Sequence, residues 1–406
     1  MGPAQSRSEG KGARNSGVAL HDISEAEFRA NPAYDLILFD RLPPDEQEVL
    51  KDLKNDPDFY GVLLPRAAGA HAIKSVCRDT ALLYLTLAQP GRLPSYVHAM
   101  FGAGCNQAVA ELVLDGVLEI AREGRFVSGS QAHDAIYPHE AGAEPAGTLA
   151  RLSHAALSYG EALDLDDSAR LSARLYFYNR IPISAHWIRR FCSQEAVADA
   201  IGIDDQRARI ERRWSRVHLA PPFNAWFQWQ SREPQPPNNS HSGFKLYVSP
   251  RPEFVREAFA AVVESLKDSG AHHFKVGNDA AGLLRPDKLV LYFRSFDSLQ
   301  QAAQQILTHL RGCEAQGVPF TAEITGDGLL SWGFDPPPDK GALAWRERES
   351  WRLWVTNRLA TAMLAARRNG VAEIGPAQFA LDRLRLEGID TDTWAPTDSF
   401  GRPAGD

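Results

Sequence analysis

The chain has 406 residues, 44% of them hydrophobic and 23% charged, and a formal net charge of −7. These figures suit a globular protein of two or three domains with a sizeable core, and the acidic balance argues against bulk binding to nucleic acid. Cys77, Cys105, Cys192 and Cys313 stand far apart with no CxxC pair, which fits reduced thiols in a cytoplasm better than a disulfide framework or a zinc site. No apolar run is long enough to span a membrane, and the N-terminus has no apolar signal core. The expectation is a cytoplasmic protein with neither a membrane nor a nucleic-acid partner.

In chain order, residues 1–20 are rich in Gly, Ser and Arg and read as a disordered tail. Residues 21–140 read as a mainly helical region. TALLYLTL at 80–87 fits either a helix or a buried strand, and QAVAELVLDGV at 107–117 has helical spacing that ends near Gly116. LEIA and RFVSG flank a Glu-Gly turn and read as a hairpin. Helix plus hairpin outlines a winged helix, whose edge strand is suited to pairing with a leader peptide; a purely structural domain fits as well. AGAEPAG at 141–147 reads as a linker.

The second domain is expected over residues 148–390, with 391–406 as a flexible tail. In RLSARLYFYNRIPI, the alternation of Arg174, Tyr176 and Tyr178 suggests a strand with a basic, aromatic face. WQSREPQPPNNSHSG at 229–243 reads as a long loop or a boundary. A dense pattern follows: a strand at 244–249, an amphipathic helix at 252–267, strands at 273–276 and 288–293, a helix at 296–310 and a strand near 319–323. A long helix at 345–368 and a short one at 376–386 close the domain. The expected fold class is α+β: a mainly helical N-terminal region, then an α/β-layered domain with an antiparallel or mixed sheet.

Lys245 and Tyr247 lie two apart in FKLYVS and share a strand face, with Phe244, Leu246 and Val248 opposite. A lysine on a sheet face is commonly just solvated. HHFKVG adds Lys275 and His273 on one face, KLVLYF adds Val290 and Tyr292, and LLRPDK adds Arg285 and Lys288. Arg180, near Tyr176 and Tyr178, is a further candidate cation. Clustered cations suit phosphate, Arg as a bidentate fork and Lys as a point charge. The sequence has no Walker loop, kinase set, GxSxG elbow or HExxH, so nucleotide-dependent transfer, serine hydrolysis and metal hydrolysis lack their residues. Elimination needs only cations and a base, and a lysine becomes that base when burial and like charges lower its pKa. Neither a cofactor nor a metal is expected. The tryptophans Trp351 and Trp354, with Arg352 and Arg358, read as a core stripe with solvated charges. Gly326, Gly328 and Gly333 read as turn glycines, and Cys313 as inert.

The run FKLYVS, then FKV about one helix later, then Arg285 and a strand ending in Leu291-Tyr292, resembles in order and spacing the phosphothreonine lyases of bacterial type III effectors and the lyase modules of lanthipeptide synthetases. That resemblance covers residues 244–335. LYFYNR, FTAEITGDGLLSWG and ESWRLWVTNRLA are similar to HopA-type effector domains, whose relatives accompany lanthipeptide and thioamide-containing peptide clusters beside a separate kinase-like protein. The resemblance implies Lys275 as the general base, Lys245 on the phosphate, and Arg285 and Tyr292 holding phosphate and backbone. It puts Tyr247 where the family has a histidine as general acid, with His241 or His273 as substitutes. Arg180 is the candidate for a later family arginine that has no clear counterpart. The implied function is a phosphoserine/phosphothreonine lyase acting on a phosphorylated precursor peptide of the lanthipeptide or thioamitide kind, after a separate kinase-like partner. The alternatives are a non-catalytic phosphopeptide-binding or kinase-partner module, including a type III effector-like protein, and a phosphatase.

Overall fold

The computed structural model describes residues 19–67, 72–138, 145–218, 225–233, 243–310, 312–336, 349–368, 374–398 and 400. The tail at 1–18, most of the expected linker at 141–147, His241 and the start of the helix expected from 345 lie outside them. The α+β class holds.

Seven antiparallel strands make the central sheet, in the spatial order Ala322–Glu323, Leu330–Phe334, Phe244–Val248, Leu289–Phe293, His273–Gly277, Trp226–Ser231, Trp214–Val217. Period-two alternation divides its faces. Leu246, Val248, Phe274, Val276, Leu289, Leu291, Phe293, Phe227 and Trp229 share one apolar core with the helices Val255–Ser265 and Phe296–His309. Burial of large side chains on that face, at about 25 cal/mol per Å², is the main force holding sheet to helices. The opposite face carries Lys245, Tyr247, His273, Lys275, Val290, Tyr292, Trp226 and Gln228, so it is the polar face of a sheet whose other face is sealed.

A second core joins helices Thr148–Ala162, Ser168–Tyr176, Trp351–Arg368 and Pro376–Leu386. Gly333 lies in a strand opposite Lys245 and is no turn residue: a Cβ there would overlap the Trp351 ring, so the glycine lets the long helix sit against the sheet. Gly328, at φ +80°, is a turn glycine.

Four expectations need correction. LYFYNR is not a strand: Ser168–Tyr176 is a helix, capped by the Asp167 carboxylate accepting from the Arg170 N–H at 2.7 Å, with Leu171 and Leu175 buried four apart. The segment from Trp229 does not begin a loop, because Trp226–Ser231 pairs with His273–Gly277 along its length. Residues 391–398 are not a free tail: Ile389–Asp390 and Ala395–Pro396 form a ladder and Trp394 is fully buried in the helical core. Among the described residues of 21–138, helices are joined by two antiparallel sheets of four and three strands, of which the mainly helical reading anticipated only the hairpin. There, 80–87 resolves into the helix Arg78–Thr86, and the hairpin Leu118–Arg122/Arg125–Val127 turns on Glu123 and Gly124, both at positive φ.

Candidate functional site

Strand register brings the predicted residues together in two adjacent rows. Lys245 stands opposite Tyr292, which stands opposite His273. One row along, Tyr247 stands opposite Val290, Val290 opposite Lys275, and Lys275 opposite Gln228. The Lys275 strand is fixed at its end by Gly277, where a Cβ would meet the Gly282 carbonyl carbon at 2.5 Å.

The Lys275 ammonium lies 4.4 Å from the Trp226 ring centre and 5.6 Å from that of Tyr292, and it makes no hydrogen bond or ion pair among the described residues. Burial, then the Lys245 and Arg285 charges, lower its pKa to about 8 against the opposing pull of Asp287 and Asp335. About a tenth of Lys275 is therefore a free amine at pH 7. Lys245 pairs with Asp335 at 2.7 Å and lies 5.2 Å from the Tyr292 ring centre. Asp335 also accepts from the Trp351 N–H at 3.0 Å, so one carboxylate holds both the first lysine and the start of the long helix.

Arg285 is held in a buried network. Its Nε donates to Asp287 Oδ1 at 2.6 Å, and one terminal nitrogen donates to Asp287 Oδ2 at 2.8 Å and to the Tyr176 hydroxyl at 2.9 Å. Its guanidinium lies 4.9 Å from the Trp226 ring centre. Arg352, 1% exposed, pairs with Asp287 at 2.9 Å and donates to the Tyr176 carbonyl at 2.6 Å. Burial works to raise the Asp287 pKa, but Arg285 and Arg352 outweigh it and hold the carboxyl well below the usual carboxylate range.

Burial pushes both Tyr247 and Tyr292 upward, so both phenols keep their protons and have an O–H to offer a ligand. His273 lies against Tyr292, with ring centres 4.7 Å apart, and burial plus Lys275 lower its pKa to about 4. It is a neutral imidazole, which argues against the substitute-acid role. Lys288 does not join the cluster; its ammonium is fully buried and donates to the Pro250 carbonyl at 2.6 Å and to Gln316 Oε1 at 2.5 Å. Arg180 donates to the Ala281 carbonyl at 3.0 Å and lies over Phe177, with no contact to Lys245, Lys275 or Tyr292. The Cys313 thiol is pushed up to about 11, chiefly by burial, in keeping with an inert thiol.

Arg352, Asp287, Asp335 and Trp226 were missed at the sequence level. Arg352 is the opposite of the solvated charge expected of it. Trp226 was discoverable from WFQWQS, where Phe227 and Trp229 alternate with Gln228 and Gln230. Lys245, Lys275, Arg285 and Arg352 against Asp287 and Asp335 make four cations to two carboxylates: an excess of two positive charges with Lys275 protonated, and one with it neutral. That excess matches a phosphomonoester, which carries about −1.5 to −2 at neutral pH.

No protein-family model matches the sequence, and no curated protein matches it. Among solved structures, the chain is similar to an effector protein from Pseudomonas syringae pv. tomato strain DC3000, at 13% identity and a TM-score of 0.40, over 61% of this chain and 97% of that one. It is similar to a phosphothreonine lyase at 16% identity and a TM-score of 0.29, over 51% of this chain and 98% of that one. A phosphothreonine lyase effector of Chromobacterium violaceum gives 17% identity and a TM-score of 0.26, over 43% of this chain and 77% of that one. Among the described residues no helix is long and apolar enough to cross a membrane.

Proposed function

We propose that the chain is a carbon–oxygen lyase that eliminates phosphate from phosphoserine or phosphothreonine in a peptide. The observation that carries this reading is Lys275: a lysine with its pKa lowered to about 8, without an ion pair or hydrogen bond among the described residues, beside two further cations. The phosphate sits on Lys245 and Arg285. Neutral Lys275 removes the Cα proton, that electron pair forms the Cα=Cβ bond, and the Cβ–O bond breaks with its pair going to phosphate. Tyr292 donates to the peptide carbonyl oxygen as enolate charge develops there. Tyr247 donates to the bridging oxygen. The departing phosphate takes up one proton from the Lys275 ammonium, directly or through solvent, leaving the base neutral and the product as hydrogen phosphate.

The reaction must follow a separate phosphorylation, since the chain carries no nucleotide loop of its own. The resemblance supports a lanthipeptide or thioamitide precursor as the substrate and a kinase-like protein as the partner. Incubation with a phosphoserine peptide tests the function. Loss of phosphoric acid from the peptide mass means elimination; loss of phosphate with water regained means a phosphatase; an unchanged mass with retained binding means a phosphopeptide-binding module.

Two predictions belong here. The charges that act on phosphate are side chains, so EDTA is expected to leave the elimination rate unchanged; loss of activity restored by zinc or magnesium contradicts this. Lys245→Ala and Arg285→Ala are expected to weaken phosphate capture, each by roughly 1.5–3 kcal/mol for a charged hydrogen bond. Titration of phosphorylated and plain peptides checks it, and unchanged discrimination between them removes these residues from the phosphate site.

A further inference from the structure

Gln228 belongs to the polar face of the central sheet, and no step of the elimination uses it. It stands opposite Lys275 on one side and opposite Val217 on the other. Facing side chains of adjacent strands start about 5 Å apart at Cβ, so the carboxamide is within reach of the space over the Lys275 amine. Gln228 is 9% exposed, and its side chain makes no hydrogen bond among the described residues. Its neighbour Val217 has nothing polar to offer it. An unmade carboxamide at such burial has a cost that a ligand would relieve.

The stereochemistry of the reacting residue says which ligand group that is. With the Cα–H bond pointed at Lys275, the other three bonds of Cα splay around that axis. One leads through Cβ to the phosphate, on Lys245 and Arg285. One leads to the carbonyl, on Tyr292, which lies in the strand Leu289–Phe293 on one side of the Lys275 strand. The third leads to the residue's own nitrogen, and Gln228 lies in the strand on the other side, Trp226–Ser231. A peptide N–H needs an acceptor. Lys245, Lys275 and Arg285 have none, both phenols donate in the reaction, and Asp335 and Asp287 are engaged by Lys245, Arg285 and Arg352. Among the described residues, the acceptors left beside Lys275 are Gln228 across the ladder and His273 two residues along the strand. The His273 ring lies against Tyr292, on the carbonyl side.

We propose that Gln228 Oε1 accepts the N–H of the phosphorylated residue itself, which turns the Cα–H bond toward Lys275 and selects substrates with a secondary amide at that nitrogen. The inference rests on the lyase reading, which supplies the direction of the Cα–H bond. It disfavours tertiary amides, which lack the N–H, and free phosphoserine, whose ammonium would enter a site of positive excess.

The test compares a phosphoserine peptide with the same peptide N-methylated at the phosphoserine nitrogen, on the parent chain and on Gln228→Leu, which keeps bulk without polar atoms. The parent is expected to favour the N–H peptide in kcat/KM by about tenfold, the order of one hydrogen bond lost with its acceptor left unpaired. Gln228→Leu is expected to lose about the same factor on the N–H peptide. The two losses should not add: the variant with the N-methyl peptide falls no further than either change alone. Its melting temperature should not drop, since an unbonded buried amide is replaced by an apolar group. A preference for the N–H peptide that survives Gln228→Leu, or that vanishes in His273→Phe instead, overturns the proposal. So does a lowered melting temperature with both peptides slowed alike, which marks a structural role. Peptide affinities separate the two readings. If the parent eliminates neither peptide, yet binds the N–H one more tightly and loses that preference in Gln228→Leu, the contact stands and the lyase reading fails. Elimination of both peptides at equal rates leaves the lyase reading standing and removes Gln228 from it.

Discussion

The Lys275→Met variant is expected to eliminate phosphate roughly a hundred- to ten-thousand-fold more slowly than the parent chain, the range lost with a general base, while still binding phosphopeptide through Lys245 and Arg285. Methionine keeps most of the stem between Trp226 and Tyr292 and removes the amine. The same change is expected to raise the melting temperature, because an ammonium buried at a cost is replaced by an apolar group. In the parent chain the rate should rise with pH, since only the free amine accepts the Cα proton. For kcat/KM, which reports the free enzyme, the rise is centred near 8. For kcat it lies higher, because a bound phosphate dianion favours the ammonium. Lys245→Met removes the largest of the neighbouring charges that depress Lys275, so it should move the kcat/KM rise to higher pH. A stopped assay across pH 6–10 checks these shifts; near parental elimination by a folded Lys275→Met protein moves the base elsewhere.

The face proposed to carry this chemistry was legible because FKLYV, HFKVG and LVLYF each alternate with a period of two. That alone assigns Lys245, Lys275 and Tyr292 to one side of a sheet. The rows in which they stand follow from register, which one sequence does not specify. The rest of the site was hidden for identifiable reasons. Tyr176 meets Asp287 across 111 positions of chain, a contact no local pattern announces. Its helix was read as a strand because Arg174, Tyr176 and Tyr178 alternate, although Asp167 supplies a helix cap and Leu171 and Leu175 the helical spacing. Arg352 sits between two tryptophans that mark a core stripe, and an arginine there reads as solvated unless its buried carboxylate is known. That carboxylate, Asp287, lies between Arg285 and Lys288, in a segment whose cations suit phosphate where a carboxylate does not. Lys288 then turned out to brace two loops instead of joining the cluster.

Asp287→Asn is expected to be the most destabilising single change at the site, by about 3–5 kcal/mol, the usual cost of removing one partner from a buried ion pair. The carboxylate is 4% exposed and serves Arg285 at 2.6 and 2.8 Å and Arg352 at 2.9 Å, so its loss strands two guanidinium groups that cannot shed their protons. Adding Arg352→Met removes one stranded charge and should restore part of the loss, and a double-mutant cycle measures that coupling. The Asp287 carboxyl is held below its unfolded value, so its stabilisation is fully present above about pH 4 and is lost as pH falls through the folded value. Below about pH 4 the variant should therefore lose stability less steeply than the parent in denaturant melts. Kinetics give an independent reading. Asp287 favours the Lys275 ammonium, so without it the kcat/KM rise should shift below pH 8, opposite in direction to the Lys245→Met shift. Arg285, released from its fork, should also hold phosphate less well and raise KM. An Asp287→Asn protein with parental stability and an unmoved pH profile would show that the Arg285–Asp287–Arg352 network neither holds the fold nor tunes the base.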